Sequence, residues 1–282
     1  MNQYKEFRID ATPYNVDIIS SLLWELEITG ITENDNFLLV YADENSDTDK
    51  EVISGQLEKL VKNNLLEIFN VTETRVENQN WNEEWEKTIN VIEISDRIVV
   101  KPSFKNYDVK PGQLILHIDP KMSFGTGEHE TTKLMLLLSE KYTEQGMKVL
   151  DVGTGTGVLA ICAVKLGASK ALAIDNDEWC KLNGEENIER NDLRDKIEIR
   201  HCEINDVQEK EFDIVLANIN RNILLEIIPA LSEKTKSKGI IILSGLLRED
   251  EQIITESCLR YELQFKENLF MNEWAALVFI KK

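Results

Sequence analysis

Lys148-Val-Leu-Asp-Val-Gly-Thr-Gly-Thr-Gly157 is the stretch on which the rest of the chain is arranged. Residues 148–151 read as a short buried strand. Gly153, Gly155 and Gly157 follow at alternate positions. Residues 158–166, Val-Leu-Ala-Ile-Cys-Ala-Val-Lys-Leu, are apolar enough for a packed helix, and Gly167 stops it. Strand, glycine turn and helix together open a nucleotide-type βαβ unit. Glycine suits such a turn because a side chain would hold the backbone away from a ligand and block the tight bend.

The spacing narrows the class. A dinucleotide fingerprint, G-x-G-x-x-G, requires its third glycine at Val158, whereas the glycine here is Gly157. Asp151 stands two residues before the first glycine. Residues 171–175, Ala-Leu-Ala-Ile-Asp, end in a second acid, Asp175, 22 residues after Gly153. An acid at the end of the next strand is placed to accept hydrogen bonds from ribose hydroxyls. The D-x-G-x-G-x-G pattern resembles motif one of the S-adenosylmethionine-dependent methyltransferases.

Composition excludes other classes. The 282 residues are 42% hydrophobic and 29% charged, a globular composition with room for one large domain or two ordinary ones. No stretch approaches 18 uninterrupted apolar residues, and the start is not a signal peptide, so the chain is expected to be cytoplasmic and off the membrane. Cys162, Cys180, Cys202 and Cys258 lie far apart and read as reduced thiols. Three histidines without ligand spacing argue against a zinc site. The net charge is −19, and residues 1–80 hold 16 acids against 6 bases. Such a surface disfavours unaided nucleic-acid binding and attracts a basic partner.

Residues 1–80 are expected to form a small α+β recognition domain. Residues 4–9, 37–42 and 68–76 read as strands, and 14–27 and 51–63 carry apolar side chains at helical spacing. Residues 81–112 read as a linker that holds Trp81 and Trp85 one helical turn apart and strand-like residues at 92–101. The second domain, 113–282, begins with a strand at 114–118. It then runs through Asp119-Pro-Lys-Met-Ser-Phe-Gly-Thr-Gly-Glu-His-Glu-Thr-Thr132 into a helix. In that loop Gly125 and Gly127 give freedom, and His129 is a candidate proton carrier.

Strands and helices alternate beyond motif one. Asp177 caps a helix at 178–190, and strands follow at 197–200, 213–217 and 240–243. Helices are expected at 223–231 and 250–259. Two closing strands at 261–266 and 274–280, joined by about seven residues, read as an antiparallel hairpin. The fold class is thus α/β, a Rossmann-like seven-stranded class I methyltransferase domain in which a parallel sheet ends in an antiparallel strand.

Asp119-Pro120, Phe124-Gly-Thr-Gly127, His129 and Thr131-Thr132 ahead of the motif-one strand resemble the bacterial ribosomal protein L11 methyltransferase family. Trp81 with Glu84-Trp85, Ala217-Asn218-Ile219, Ser244-Gly245 and Glu273-Trp274 extend the resemblance to the C-terminus. It implies S-adenosylmethionine as cofactor, held by Thr132, Gly153, Asp175 and Asn218. Phe124, Gly125, Thr126, Asp151 and Gly155 are further candidates. It also implies repeated methylation of lysine side chains and an N-terminal amine on protein L11. Nothing in the sequence demands more than a monomer, and the acidic surface fits an enzyme that needs no direct nucleic-acid contact. Glu128, Glu130 and Thr154 depart from the residues usual in the family. The run Asn218-Ile-Asn-Arg221 lacks the Asn-Pro-Pro-Tyr typical of enzymes that methylate base amines or planar amides. Alternatives are a class I methyltransferase acting on another protein or a small molecule, a nicotinamide dehydrogenase, and a non-catalytic ribosome-binding module.

Overall fold

The computed structural model describes residues 3–23, 26–34, 36–77, 90–119 and 125–282. Trp24, Glu25, Trp81, Glu84, Trp85, Pro120 and Phe124 lie outside the described residues. The chain divides into two compact units, 1–88 and 89–282.

The first unit is built on an antiparallel four-stranded sheet. Its strands are β1 (Gln3–Thr12), β2 (Gly30–Glu33), β3 (Leu38–Asp43) and β4 (Ile68–Glu77), in the order β2-β3-β1-β4. Phe7 and Ile9 of β1 are buried and alternate with exposed Arg8, the period of a strand with one covered face. Helices α1 (Val16–Leu23) and α2 (Lys50–Lys62) provide the cover. Ile19, Leu23, Ile53, Leu57 and Leu60 pack with Phe7, Ile9, Leu38 and Val40 in one core. Asp49 caps α2 by accepting from Val52 N. Strand β2 is absent from the sequence reading, since its four residues include one glycine and two polar side chains.

Residues 92–101 form two strands, β5 (Ile92–Glu93) and β6 (Ile98–Lys101), turned at Ser95, whose Oγ accepts from Arg97 N and Ile98 N. With β7 (Leu114–His117) they make a small three-stranded sheet of the second unit. Ile98, Val100 and Leu116 belong to that unit's core.

The main sheet of the second unit has seven strands. These are β8 (Lys148–Val152), β9 (Lys170–Asp175), β10 (Ile197–His201), β11 (Phe212–Asn218), β12 (Thr235–Leu247), β13 (Leu263–Met271) and β14 (Trp274–Lys281). Their order is β10-β9-β8-β11-β12-β14-β13, and β14 runs antiparallel to both neighbours. Five helices cover the faces: α3 (Glu130–Tyr142), α4 (Val158–Leu166), α5 (Glu178–Arg190), α6 (Arg221–Lys234) and α7 (Glu251–Leu259). Strand β8 is buried from Val149 to Val152, and α4 is buried from Val158 to Val164. That explains their continuous apolar runs.

The closing hairpin differs from expectation. Strand β13 extends to Met271, so only Asn272 and Glu273 join it to β14, with Asn272 at φ +52° in the left-handed region that such tight turns require. A register shift between Phe265 and Glu267 lets the polar Glu267-Asn268 pair continue the ladder.

Candidate active site

The strand order reverses at β8. From there the chain goes first to β9 on one side and later to β11 on the other. Crevices in open α/β sheets form outside the carboxyl ends of the strands at this switch point. The motif-one turn leaves β8 there, Asp175 ends β9, and Asn218 ends β11.

The glycine turn is held by its neighbours. Gly153 N and Thr154 N both donate to Ile174 O, at 2.9 and 3.0 Å. Gly153, Gly155 and Gly157 take φ of +68°, +53° and +82°, all in the left-handed region. Asp151 lies beneath the turn, fully buried. Its Oδ2 accepts from Thr154 Oγ1 at 2.6 Å and Ala160 N at 3.1 Å, tying the turn to the first helical residues. Burial pushes its carboxyl up to about 7; the two hydrogen bonds oppose that rise and the Asp175 charge adds to it.

Asp175 faces the turn from β9. Its Oδ2 accepts from Gly155 N at 2.8 Å and its Oδ1 from Asp177 N at 3.0 Å. Asp177 in turn caps α5 by accepting from Trp179 N. The Asp175 carboxylate keeps accepting capacity beyond these two bonds, because two ionised oxygens offer about four lone-pair sites.

The 125–132 segment approaches from the side. Gly125 sits at φ +104°, and its carbonyl accepts from Thr156 Oγ1 at 2.7 Å. A Cβ at this position would fall 2.7 Å from that same hydroxyl, so glycine is required by the contact as well as by φ. Thr126 Oγ1 accepts from Glu128 N at 3.1 Å. His129 is the N-cap of α3, its Nδ1 accepting from Thr131 N, and its ring stands edge-on to Trp274 with centroids 4.7 Å apart. Thr132 is fully buried. Asn218 Nδ2 donates to Thr132 Oγ1 at 3.5 Å, while Asn218 Oδ1 is shut off from solvent without a partner. Among the described residues no group of three or more His, Cys, Asp or Glu could hold a metal ion.

Similarity to known proteins extends over almost the whole chain. The model of the family described as ribosomal protein L11 methyltransferase (PrmA) matches residues 4–282. The chain belongs to the ribosomal protein L11 methyltransferase family. A relative from Chlorobaculum tepidum named ribosomal protein L11 methyltransferase is 37% identical over 278 residues, 96% of this chain and 94% of that protein. One from Acetivibrio thermocellus with the same name is 38% identical over 203 residues, 72% of this chain and 64% of that protein. The crystal structure of a ribosomal protein L11 methylase from Lactobacillus delbrueckii subsp. bulgaricus is 33% identical, with a TM-score of 0.64. The match covers 68% of this chain and 98% of that one.

In this family member Gly155 is bonded to Asp175, Asn218 is bonded to Thr132, Gly153 lies beside Ile219, and Gly125 is docked on Thr156 of the turn. Helix capping beside Asn218 falls to Asn220, which accepts from Ile223 N and frees the Asn218 amide from that duty. Sequence reasoning named Gly245 only as part of the resemblance and left out Gly184, and it missed the packing role of both. Gly245, at φ +82°, packs so closely that a Cβ would lie 2.4 Å from Ile219 O. Gly184 of α5 packs against β10, where a Cβ would lie 2.5 Å from Ile199 Cδ1. A glycine inside a helix was the available signal for the second.

Proposed function

We propose that this chain transfers methyl groups from S-adenosylmethionine to amines of ribosomal protein L11, on lysine side chains and the N-terminal amine. The carrying observation is Asn218 Oδ1, an acceptor shut off from solvent and unpartnered, at the end of the strand next to a turn whose three glycines leave backbone open to a ligand. A buried orphan acceptor costs roughly 1–3 kcal/mol unless something donates to it. A polar ligand in the crevice removes that cost.

The residues present fit the cofactor. Asp175 retains acceptor capacity for ribose hydroxyls, Gly153 and Gly155 admit close backbone approach, and Thr132 and Asn218 line the other wall. Gly125, Thr126 and Asp151 complete the set as neighbours or supports. When bound, the cofactor supplies a methyl group already activated on a sulfonium. The chain's task is then to place an amine in line with it, and positioning of this kind is worth about 7–11 kcal/mol. A lysine amine, with an ordinary pKa near 10.4, attacks only when neutral, and a site shielded from water favours that form.

The acidic balance of residues 1–80 supports a basic protein as substrate, docked by the first unit. In this reading the chain works as a monomer in the cytoplasm without direct contact to nucleic acid. Among the described residues no helix is long and apolar enough to cross a membrane. The test is incorporation of labelled methyl groups into ribosomal proteins from a strain lacking this enzyme. Label in protein L11 is expected. Label in ribosomal RNA or small molecules instead defeats the substrate assignment.

A further inference from the structure

Three asparagines, Asn183, Asn187 and Asn191, recur every fourth residue on one face of α5 and its C-cap, and all are buried. Asparagine disfavours a helix interior because its amide competes with the backbone, so a buried run of three has to be offset by bonds made elsewhere. Here the amides treat the chain after β7 as a neighbouring strand. Asn191 Oδ1 accepts from His117 N at 3.0 Å, and its Nδ2 donates to His117 O at 2.7 Å. Asn187 Oδ1 accepts from Asp119 N at 2.9 Å, and Asn183 Nδ2 donates to Asp119 O at 2.9 Å. Arg190 adds an ion pair to Asp119 at 2.9 Å.

Asn187 alone reaches further. Its Nδ2 also donates to Thr156 O at 3.0 Å, inside the glycine turn. The hydroxyl of the same Thr156 donates to Gly125 O at 2.7 Å. The loop is therefore fastened to the glycine turn at Asp119 through Asn187 and at Gly125 through Thr156. Both fastening side chains are fully buried.

We propose that Asn187 and Thr156 are positioning residues that lock the two glycine-bearing loops into one unit and thereby set affinity for the methyl donor. This rests on the methyltransferase reading above. The physical ground is that removing one partner of a buried hydrogen bond leaves the other polar group unsatisfied at a free-energy cost, and the Asn187–Thr156 and Thr156–Gly125 bonds are both of this kind. Thr156 belongs to the glycine turn and Gly125 to the segment leading to Thr132, so loosening either fastening lets the two segments drift apart. Neither residue touches the reacting atoms, so the loss falls on donor binding, with kcat at saturation little changed.

The experiment is titration of the full-length protein with S-adenosylhomocysteine, paired with kinetics at saturating and limiting S-adenosylmethionine and a thermal melt for each variant. Thr156→Val removes the hydroxyl at near-constant volume and should raise Kd and the donor KM about tenfold. Thr156→Ser, which keeps the hydroxyl, should restore tight binding. Asn187→Asp keeps the acceptor toward Asp119 N but loses the bonds that Nδ2 donates to Thr156 O at 3.0 Å and to Asp119 O at 3.3 Å, and should match Thr156→Val. Should Thr156→Val unfold, Thr156→Ala, which adds no methyl against Gly125 O, carries the same expectation. Folded Val and Asp variants with the parent's Kd overturn the proposal, as does a Ser variant no better than Val, or a loss confined to kcat. A parent protein that binds no S-adenosylhomocysteine at all instead overturns the methyltransferase reading.

Discussion

Asn218 and Thr132 meet through a single long hydrogen bond, Nδ2 to Oγ1 at 3.5 Å. That length is at the limit of a useful bond. The other end of the amide, Oδ1, has no partner. The amide is therefore held in place with little to lose by exchanging Thr132 for a ligand. Asn218→Ala should leave the melting temperature within a degree or two and lower turnover by at least about tenfold, the loss expected when a charge-directing polar contact disappears. Parent-like turnover at limiting S-adenosylmethionine would remove Asn218 from the site.

Asp175 has a double role. Its carboxylate organises Gly155 N and Asp177 N at the end of β9, and the proposed function adds ribose hydroxyls to its partners. Asp175→Ala should raise the Kd for S-adenosylhomocysteine at least tenfold. It should also cost about 1–3 kcal/mol of stability, because two backbone N–H groups lose their acceptor. Calorimetric titration beside a urea melt separates the effects. An unchanged Kd in a destabilised protein would make the residue purely structural.

The elements were most legible where chain chemistry is local. Helix α4 ends at Leu166 because Gly167 follows, and α5 begins at Glu178 because Asp177 caps it. Both ranges can be read directly from those residues. Strand β2 was not legible, since four mixed residues carry no periodicity and the strand exists only through pairing with β3. The same contrast holds at the site. Asp151, Gly153, Asp175 and Asn218 stand out as a spaced pattern. Asn183, Asn187 and Asn191 look like an ordinary polar helix face, and only the tertiary packing of α5 on β7 shows that the face is buried.

Gly245 supports Asn218 from behind. Gly245→Ala forces a Cβ into the left-handed region and to 2.4 Å from Ile219 O, so the segment after Asn218 has to shift. The expected cost is about 1–3 kcal/mol of stability. Weaker S-adenosylhomocysteine binding should follow, although the residue is not proposed to touch it. Urea denaturation with parallel titration checks both, and a stable variant with parent affinity contradicts the support role.

The acidic loop after β3 offers a substrate test. Asp43 and Asp47 are exposed, whereas Glu44 is engaged by Arg75 at 3.3 Å and Asp49 is used as the cap of α2. Asp43→Lys with Asp47→Lys should raise KM for protein L11 severalfold at low salt and leave the donor KM alone, since exposed charges act chiefly on association. The difference should shrink as ionic strength rises and the Debye length falls. A shift in the donor KM, or none in the substrate KM, counts against docking by this face.

Asp151 makes a pH-dependent contribution with a definite sign. Its folded-state carboxyl lies near 7, above the ordinary 3.8, chiefly because it is buried. Between those values the folded protein holds a proton that the unfolded chain has released. This contribution to stability is therefore fully present below about 4 and is lost as pH rises through about 7, with a slope of at most about 1.4 kcal/mol per pH unit. Asp151→Asn removes the titration while keeping an acceptor for Thr154 and Ala160. The variant should thus gain stability relative to the parent between pH 5 and pH 8. Urea melts at pH 5, 6, 7 and 8 measure the difference between the two proteins, in which titrations elsewhere cancel. A difference that stays constant with pH would mean that Asp151 ionises in the folded protein at its ordinary value.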